Sequence, residues 1–460
     1  MSERFRVCDL NQPFLMPPSL QDWLPEGHLA RFIAEVVDEL DLRGMLQQYQ
    51  RQDGRGAAGY HPVMLTRLLL YAYCVGEVSS RRIEKGTYED VAFRYLAADQ
   101  HPDHDTIASF RREHLERLSQ LFVQGLQMCR EAGLVKMGRV MLDGTKVAAN
   151  ASRRKTADWE QLGRQERGLQ EQVAALLGQA EQTDAAEDAR WGKGKRGDEL
   201  PAELASSQQR LQRIREAKAR LQQRAQQRAE EAEREREQQK ATREPASAAQ
   251  KKRWSRARAA AEETRGQINL TDPESQLMKD GHRGGFVQGY NAQAAVLENQ
   301  IIVALDVTDQ AADKQQLVPM TAKVKEGLGG QPPSLIADAG YWSEDAIGDE
   351  HLKNIELLIP PDRSRPGEAP KRNAPHSDAA ERMREKLRSE AGAQRYQLRQ
   401  QTIEPVFGQI KEARGLRRFG FRGLARVKAE WSLICLTHNL LKLFRHRARL
   451  RLGEPALAMA

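Results

Sequence analysis

A chain of 460 residues that is 40% hydrophobic and 30% charged can build cores, and at roughly 100 to 200 residues per domain it has room for two to four units. No stretch approaches the roughly 18 consecutive apolar residues of a spanning helix, and MSERFRVCDLNQPF lacks the basic cap, apolar run and cleavage site of a secretory leader, so a cytoplasmic protein without membrane association is expected. The net charge of +8 is concentrated: Gln401 to Arg451 hold 12 Lys or Arg against 3 Glu, a surplus that attracts a polyanion such as nucleic acid, unless it is a solvated helical face.

From Leu29 to Gly133, apolar clusters such as Phe32-Ile33-Val36-Val37-Leu40 recur at three and four residues, so residues 1–134 read as an α-helical N-terminal domain. Within it, Asp105 or Thr106 would cap a helix whose exposed face carries Arg111, Arg112, His114 and Arg117. Such a short basic helix fits a DNA groove, or it is a plain core helix. The period changes at Val135, where Val140-Met141-Leu142 reads as a strand ending in Asp143-Gly144-Thr145. Residues 156–266 turn polar and rich in Gln, Glu, Arg and Ala. Leu162, Leu169 and Leu176 recur at sevens, and Leu204, Leu211, Ile214 and Leu221 fit coiled-coil seam positions, with Trp191-Gly192-Lys193-Gly194-Lys195 as a break. Two long helices in an antiparallel hairpin are expected. Lys218 and Arg228 fall where apolar residues belong, so partial disorder is the alternative.

After Gly266 the strand signal returns. Gly285 to Ala294 alternates apolar and polar residues, and Ile301 to Val307 follows across Glu298-Asn299, predicting a hairpin. A helix over Lys314 to Glu326, a strand Ser334-Leu335-Ile336-Ala337 and a strand Asn354 to Ile359 come next. Asp362 to Ala393 reads as a surface excursion, Pro405 to Arg447 as a final helical region, and 451–460 as a tail. Strand, hairpin, helix, strand, helix, strand, helix is the order of an RNase-H-like mixed sheet. The fold expected is therefore α+β or α/β: a helical N-terminal domain, then a catalytic domain over 135–155 and 267–450 interrupted by the charged, coiled-coil-like helical insertion.

In such a fold, carboxylates converge at one end of the sheet. Asp143 would close the first strand, Asp338 the fourth, and Glu404 would open the last helix, with Pro405 at its first position. Three carboxylates at element ends suit two Mg²⁺ ions, with Mn²⁺ an acceptable substitute, and two such ions serve phosphodiester chemistry. Each residue also has a plain reading, because Asp-Gly and Asp-Ala-Gly suit turns and Glu404 suits a cap. Asp306 and Asp309 are alternatives to Asp338. Tyr341 and Trp342 are aromatic candidates for stacking on a base or for core packing. Cys8, Cys74, Cys129 and Cys435 form no CxxC pair, and His101, His104 and His282 have no zinc spacing. Gly281-His282-Arg283-Gly284-Gly285 could wrap a phosphate or make a tight turn.

Tyr396, Arg399, Glu404 and Lys411 stand as Y-x2-R-x4-E-x6-K, and in this the chain resembles the DDE transposases of bacterial insertion sequences with a Y-R-E-K signature. MLDGTKVAANAS, LTDPESQLMKDGHRGGFVQGYNAQ and SLIADAGYWSED are similar to companion segments of that family. FLMPPSLQDWLPEGHLARFIAEVV and HPVMLTRLLLYAYCVGEVSSRRIE resemble its N-terminal domain. The resemblance implies that Asp143, Asp338 and Glu404 are catalytic metal ligands and that Tyr396, Arg399 and Lys411 lie near the terminal phosphate of the element's end. It departs from the family at the Arg399-to-Glu404 gap, one residue longer than usual, which bears on the orientation of Arg399.

Elementary geometry points the same way. Seven residues is about two α-helical turns, so Glu404 and Lys411 would share a face. Arg414, Arg417, Arg418, Arg422 and Arg426, interleaved with Phe419 and Phe421, read as a stretch for a DNA backbone. The function expected is cleavage of element ends in double-stranded DNA and strand transfer to target DNA, by a homodimer on synapsis and in association with the nucleoid. The alternatives are a DNA-binding or architectural protein and a nuclease of the same fold.

Overall fold

The computed structural model describes residues 19–50, 59–191, 202–241, 248–262, 266–280, 284–362 and 377–452. Cys8, residues 192–195 of the expected break, residues 281–283 of the glycine loop, much of the surface excursion and most of the C-terminal tail lie outside them.

Apolar residues at helical spacing fold the first part of the chain into α1 (Leu29–Glu39), α2 (Arg43–Gln50), α3 (Pro62–Val75), α4 (Ser80–Glu89), α5 (Val91–Leu96), α6 (His104–Glu113) and α7 (Leu115–Glu131). The cap of α6 is Asp103, not Asp105 or Thr106: its carboxylate accepts from Thr106 N at 2.7 Å. A side chain two or three residues ahead of the open N–H groups reaches them best.

Among the described residues, eight strands follow: β1 (Val140–Ala148), β2 (Thr156–Asp158), β3 (Gln267–Asn269), β4 (Gln276–Asp280), β5 (Gly285–Leu297), β6 (Ile302–Thr308), β7 (Ser334–Ala337) and β8 (Glu356–Leu358). The main sheet runs β4-β5-β1-β7-β8, with β6 also on β5. Gly289 pairs with both Ala148 and Gln276, so β4 lies on the edge of β5 opposite β1. The path β6-β5-β1 is antiparallel, whereas β7 and β8 run parallel to β1. Three antiparallel strands continued by two parallel ones make this the mixed sheet of an RNase-H-like α+β fold.

The insertion leaves the sheet through β2 and returns through β3, which pair antiparallel and stitch its two ends together. Between them, among the described residues, lie three helices rather than two: α8 (Trp159–Trp191), α9 (Ala202–Ala241) and α10 (Ala248–Glu262). Leu162, Leu169, Leu211, Ile214 and Leu221 form a small core of their own with Ala157 and Ile268. Lys218 sits in this seam because its ammonium bonds Glu166 at 2.8 Å and lies 4.7 Å from the Trp159 ring centre. Arg228 is exposed, and the buried positions beside it belong to Ala225 and Ala232.

Between β6 and β7 lies α11 (Leu317–Leu328), and α12 (Glu344–Ile347) precedes β8. The expected single helical region from Pro405 is instead α13 (Asp378–Arg388), α14 (Glu390–Gly408), a π-turn over Gln409–Ala413, a loop, and α15 (Leu424–Arg451). Trp431 and Leu433 to Leu440 are buried on every side of α15, which packs against α3, α7 and β6. The helix is enclosed there, and its buried polar residues are paired: His438 bonds Gln409, and Asn439 Nδ2 donates to Ile302 O. It thereby joins the N-terminal helices and the sheet in one continuous core.

Candidate active site

The β1–β7 register matches Leu142 to Ala337, so the next residues along, Asp143 and Asp338, lie side by side. Asp143 does not close its strand: β1 continues to Ala148, and only β7 ends here. The Asp143 Oδ2 atom accepts from Arg399 Nη1 at 2.8 Å, and Oδ1 accepts from Gly144 N at 2.8 Å. Burial, opposed by Arg399 and reinforced by Asp338 and Asp313, pushes its carboxyl up to about 6. Asp338 caps the short turn Ala339–Tyr341, accepting from Gly340 N at 2.8 Å.

Glu404 corrects the sequence reading. It does not open a helix but lies within α14, with Pro405 inside the same helix. Thr402, Ile403, Val406 and Phe407 are buried around it, and α14 packs on β1, β5 and β7. That burial outweighs the local preference of a residue before proline for extended backbone. Glu404 itself is exposed. The link between it and the two aspartates is Arg399, whose charge is favoured by Asp143, Tyr396, Asp338 and Glu404 against the opposing effect of burial. Burial raises the phenol of Tyr396, opposed by the charge of the nearby Arg399.

Lys411 reaches β1 as well, donating to Thr145 Oγ1 at 3.0 Å and Lys146 O at 3.2 Å. It lies in the π-turn, which alters the phase assumed by counting seven α-helical residues from Glu404. The signature Tyr396, Arg399 and Lys411 therefore gather along β1, with Arg399 turned onto Asp143.

Composition gave no sign of Asp313, which completes the polar wall. Its Oδ1 accepts from Asn291 Nδ2 at 2.7 Å and Gln293 Nε2 at 2.8 Å, with Lys146 Nζ at 3.8 Å. A β-carbon on Gly340 would stand 2.8 Å from Asp338 Oδ1 and 3.4 Å from Asp313 Oδ2, so these two carboxylates border the same glycine. The available signal was Asn291 and Gln293, polar residues two apart in a strand whose side chains are fully buried.

All these donors are oxygens. Asn291 Oδ1 is buried and, among the described residues, has no hydrogen-bond donor, and burial raises Asp143 despite its arginine. Hard oxygen ligands in that state fit Mg²⁺ or Mn²⁺. Among the described residues, no three His, Cys, Asp or Glu side chains stand assembled as a ready ligand set.

Other candidates separate clearly. Asp306 is held by Lys323 at 2.7 Å and Lys428 at 2.8 Å, and Asp309 by Arg224 at 3.8 Å, so both are structural ion pairs. Tyr341 and Trp342 are core residues, and the Tyr341 hydroxyl bonds Gln293. His104 bonds Glu84 at 2.8 Å, and His101 stacks on Tyr88. Arg414, expected on a DNA backbone, is instead buried, donating to Tyr73 O, Thr437 Oγ1 and Ile434 O. Apolar neighbours on α15 and α3 enclose it, and burial brings its guanidinium down to about 10. Arg111 is likewise turned inward, donating to Val78 O at 2.7 Å beneath the Phe421 ring. Arg112, Arg417, Arg418 and Arg422 are exposed; Arg112 bonds Ser109, Arg417 pairs with Glu412, and Arg422 bonds Asn150 O.

No helix among the described residues is long and apolar enough to cross a membrane. The model of the Transposase DDE domain matches residues 365–444, which include Tyr396, Arg399, Glu404 and Lys411. A second model, Transposase domain (DUF772), matches residues 18–113 in the N-terminal helices. No curated protein and no solved structure matches the chain. Two transposase models match on either side of an RNase-H-like sheet, and the DDE model covers the helix that carries Glu404, so over these two segments the chain is similar to the DDE-type transposases of insertion sequences.

Proposed function

We propose that this chain is a DDE-type transposase of an insertion sequence, which binds the terminal repeats of its own element, cleaves the strand there with water, and joins the liberated end to target DNA. In the first step a water oxygen bonds to phosphorus, the P–O3′ bond breaks, and the 3′ oxygen leaves as a hydroxyl. In the second, that hydroxyl attacks a target phosphodiester and displaces its 3′ oxygen. Asp143, Asp338 and Glu404 would hold divalent cations, Mg²⁺ or Mn²⁺, which supply Lewis-acid stabilisation of the attacking and leaving oxygens.

The observation that carries this reading is the adjacency of Asp143 and Asp338 at the end of β7, with Arg399 tying α14 and its Glu404 to that edge. Arg399 keeps the Asp143 carboxylate charged in a buried setting and holds α14 against β1. Tyr396 positions that guanidinium, and Lys411 orients Thr145. Exposed Arg417, Arg418, Arg422 and Arg112 would contact DNA phosphates, and synapsis of two ends calls for two copies of the chain.

The test is Mg²⁺-dependent cleavage of double-stranded DNA carrying the repeats that flank the gene, with Glu404→Ala alongside. Cleavage at the repeat boundary, joining to a target plasmid, and loss of both in the variant with end binding retained are expected. Cleavage without joining would make the protein a nuclease, and cleavage surviving in Glu404→Ala would remove the assignment of the third carboxylate.

A further inference from the structure

We propose that the helical insertion is a second DNA-gripping arm, whose base forms a phosphate-backbone groove continuous with the far end of β1. This rests on the transposase reading and names an interaction that reading leaves open. A groove of about 1190 Å³ opens between α8 and α9, over the turn that precedes β2, and is lined by Arg154, Lys155, Arg164, Arg210, Arg213 and Arg422. A second groove of about 520 Å³ adds Arg153 and Arg418 and shares Lys155, Thr271 and Arg422 with the first. Among the described residues, no carboxylate lines either groove. The cations come from four separate parts of the chain, which sequence counting does not bring together.

These charges are mounted on a firm base. Leu162, Leu169, Leu211 and Ile214 are buried between the two helices, and the β2–β3 pair closes the mouth of the insertion. Arg422 Nε donates to Asn150 O at 2.9 Å, and Arg153 Nη1 donates to Phe286 O at 2.9 Å, so two guanidinium groups are oriented by backbone carbonyls. Arg164 has an ion pair, at 3.8 Å, to the exposed Glu160.

The path leads from the carboxylates. Ala148 exchanges hydrogen bonds with the Arg417–Phe419 segment and lines the second groove. Five residues of strand separate it from Asp143, about 17 Å, or roughly five base pairs along a duplex axis. A duplex whose scissile phosphate sits at Asp143 and Asp338 would have its flank within reach of this arm. The occupant assigned is therefore the sugar-phosphate backbone of double-stranded DNA beside the cleavage point, bound without regard to base sequence.

The experiment is a fluorescence-anisotropy titration of a labelled duplex bearing the element's end, repeated over a salt series. It compares the full-length protein with Arg210→Glu/Arg213→Glu. A control pair, Arg167→Glu/Arg234→Glu, makes the same charge change at exposed positions of the same helices outside the groove. The groove pair should lower the slope of log K against log salt by about 2, near 0.9 for each phosphate that is no longer neutralised, and weaken binding at least about tenfold at 0.1 M salt. The control pair should leave the slope in place. Helical content by circular dichroism, and Arg210→Gln/Arg213→Gln giving the same loss of slope, would show that the arm is folded. Unchanged slopes in the groove variants, or equal losses in the control pair, would overturn the arm and leave the transposase reading standing. No binding of any duplex by the unmodified protein would remove both.

Discussion

Asp143 is a carboxylate that folding holds at a disadvantage, and Asp143→Asn tests this directly. Its side chain is 19% exposed, and burial, with Asp338 and Asp313 nearby, outweighs the Arg399 bond and moves it from 3.8 to about 6. At 1.36 kcal/mol per unit, a rise of about 2 units is about 3 kcal/mol. Below about pH 4 the carboxyl is protonated in both folded and unfolded chains and makes no difference. As pH rises from about 4 to 6 the unfolded chain gives up its proton first, so stability drains away, and the full penalty stands above about pH 6. Asparagine resembles the protonated acid and can still accept from Arg399. In urea unfolding with EDTA present, Asp143→Asn should be more stable than the natural chain at neutral pH by up to about 3 kcal/mol. The gap should widen by about 1.5 kcal/mol between about pH 5 and 7.5. The same variant should be unable to cleave DNA. Parallel pH profiles for the two proteins would refute the placement of an ionised, under-compensated carboxylate at this position.

Gly144→Ala probes the polar wall. A β-carbon there would overlap Gln293 Nε2 and approach Asp313 Oδ1 to 2.7 Å and Asn291 Oδ1 to 2.8 Å, all groups inside the sheet's hydrogen-bond network. A loss of about 1–3 kcal/mol in unfolding free energy, together with loss of cleavage, is expected; a variant as stable and active as the natural chain would show that the wall yields freely. Arg414→Met removes donors to Tyr73 O, Thr437 Oγ1 and Ile434 O. It should destabilise by about 1–3 kcal/mol and leave the salt dependence of DNA binding untouched, and a reduced slope would return Arg414 to the DNA surface.

Much of the architecture is local and was readable. Val140 to Leu142, the Gly285–Thr308 hairpin and Ser334 to Ala337 are runs whose alternation or continuous apolarity permits little but strand, and the seam leucines of the insertion mark helices by period alone. Asp143 and Asp338 were legible because each follows an apolar strand core. What the sequence could not decide depends on partners distant along the chain. Pro405 reads as a helix start until the sheet beneath α14 is present, since only tertiary burial of Ile403, Val406 and Phe407 favours carrying a helix through proline. Arg414 and Arg418 look alike in a basic stretch, yet α3 and α15 enclose the first and leave the second in solvent. Asp313 carries no motif and becomes part of the site because Asn291, Gln293 and Gly340 are folded around it. Periodicity reports which face of an element is apolar; which charges meet across the fold is decided by packing between elements hundreds of residues apart.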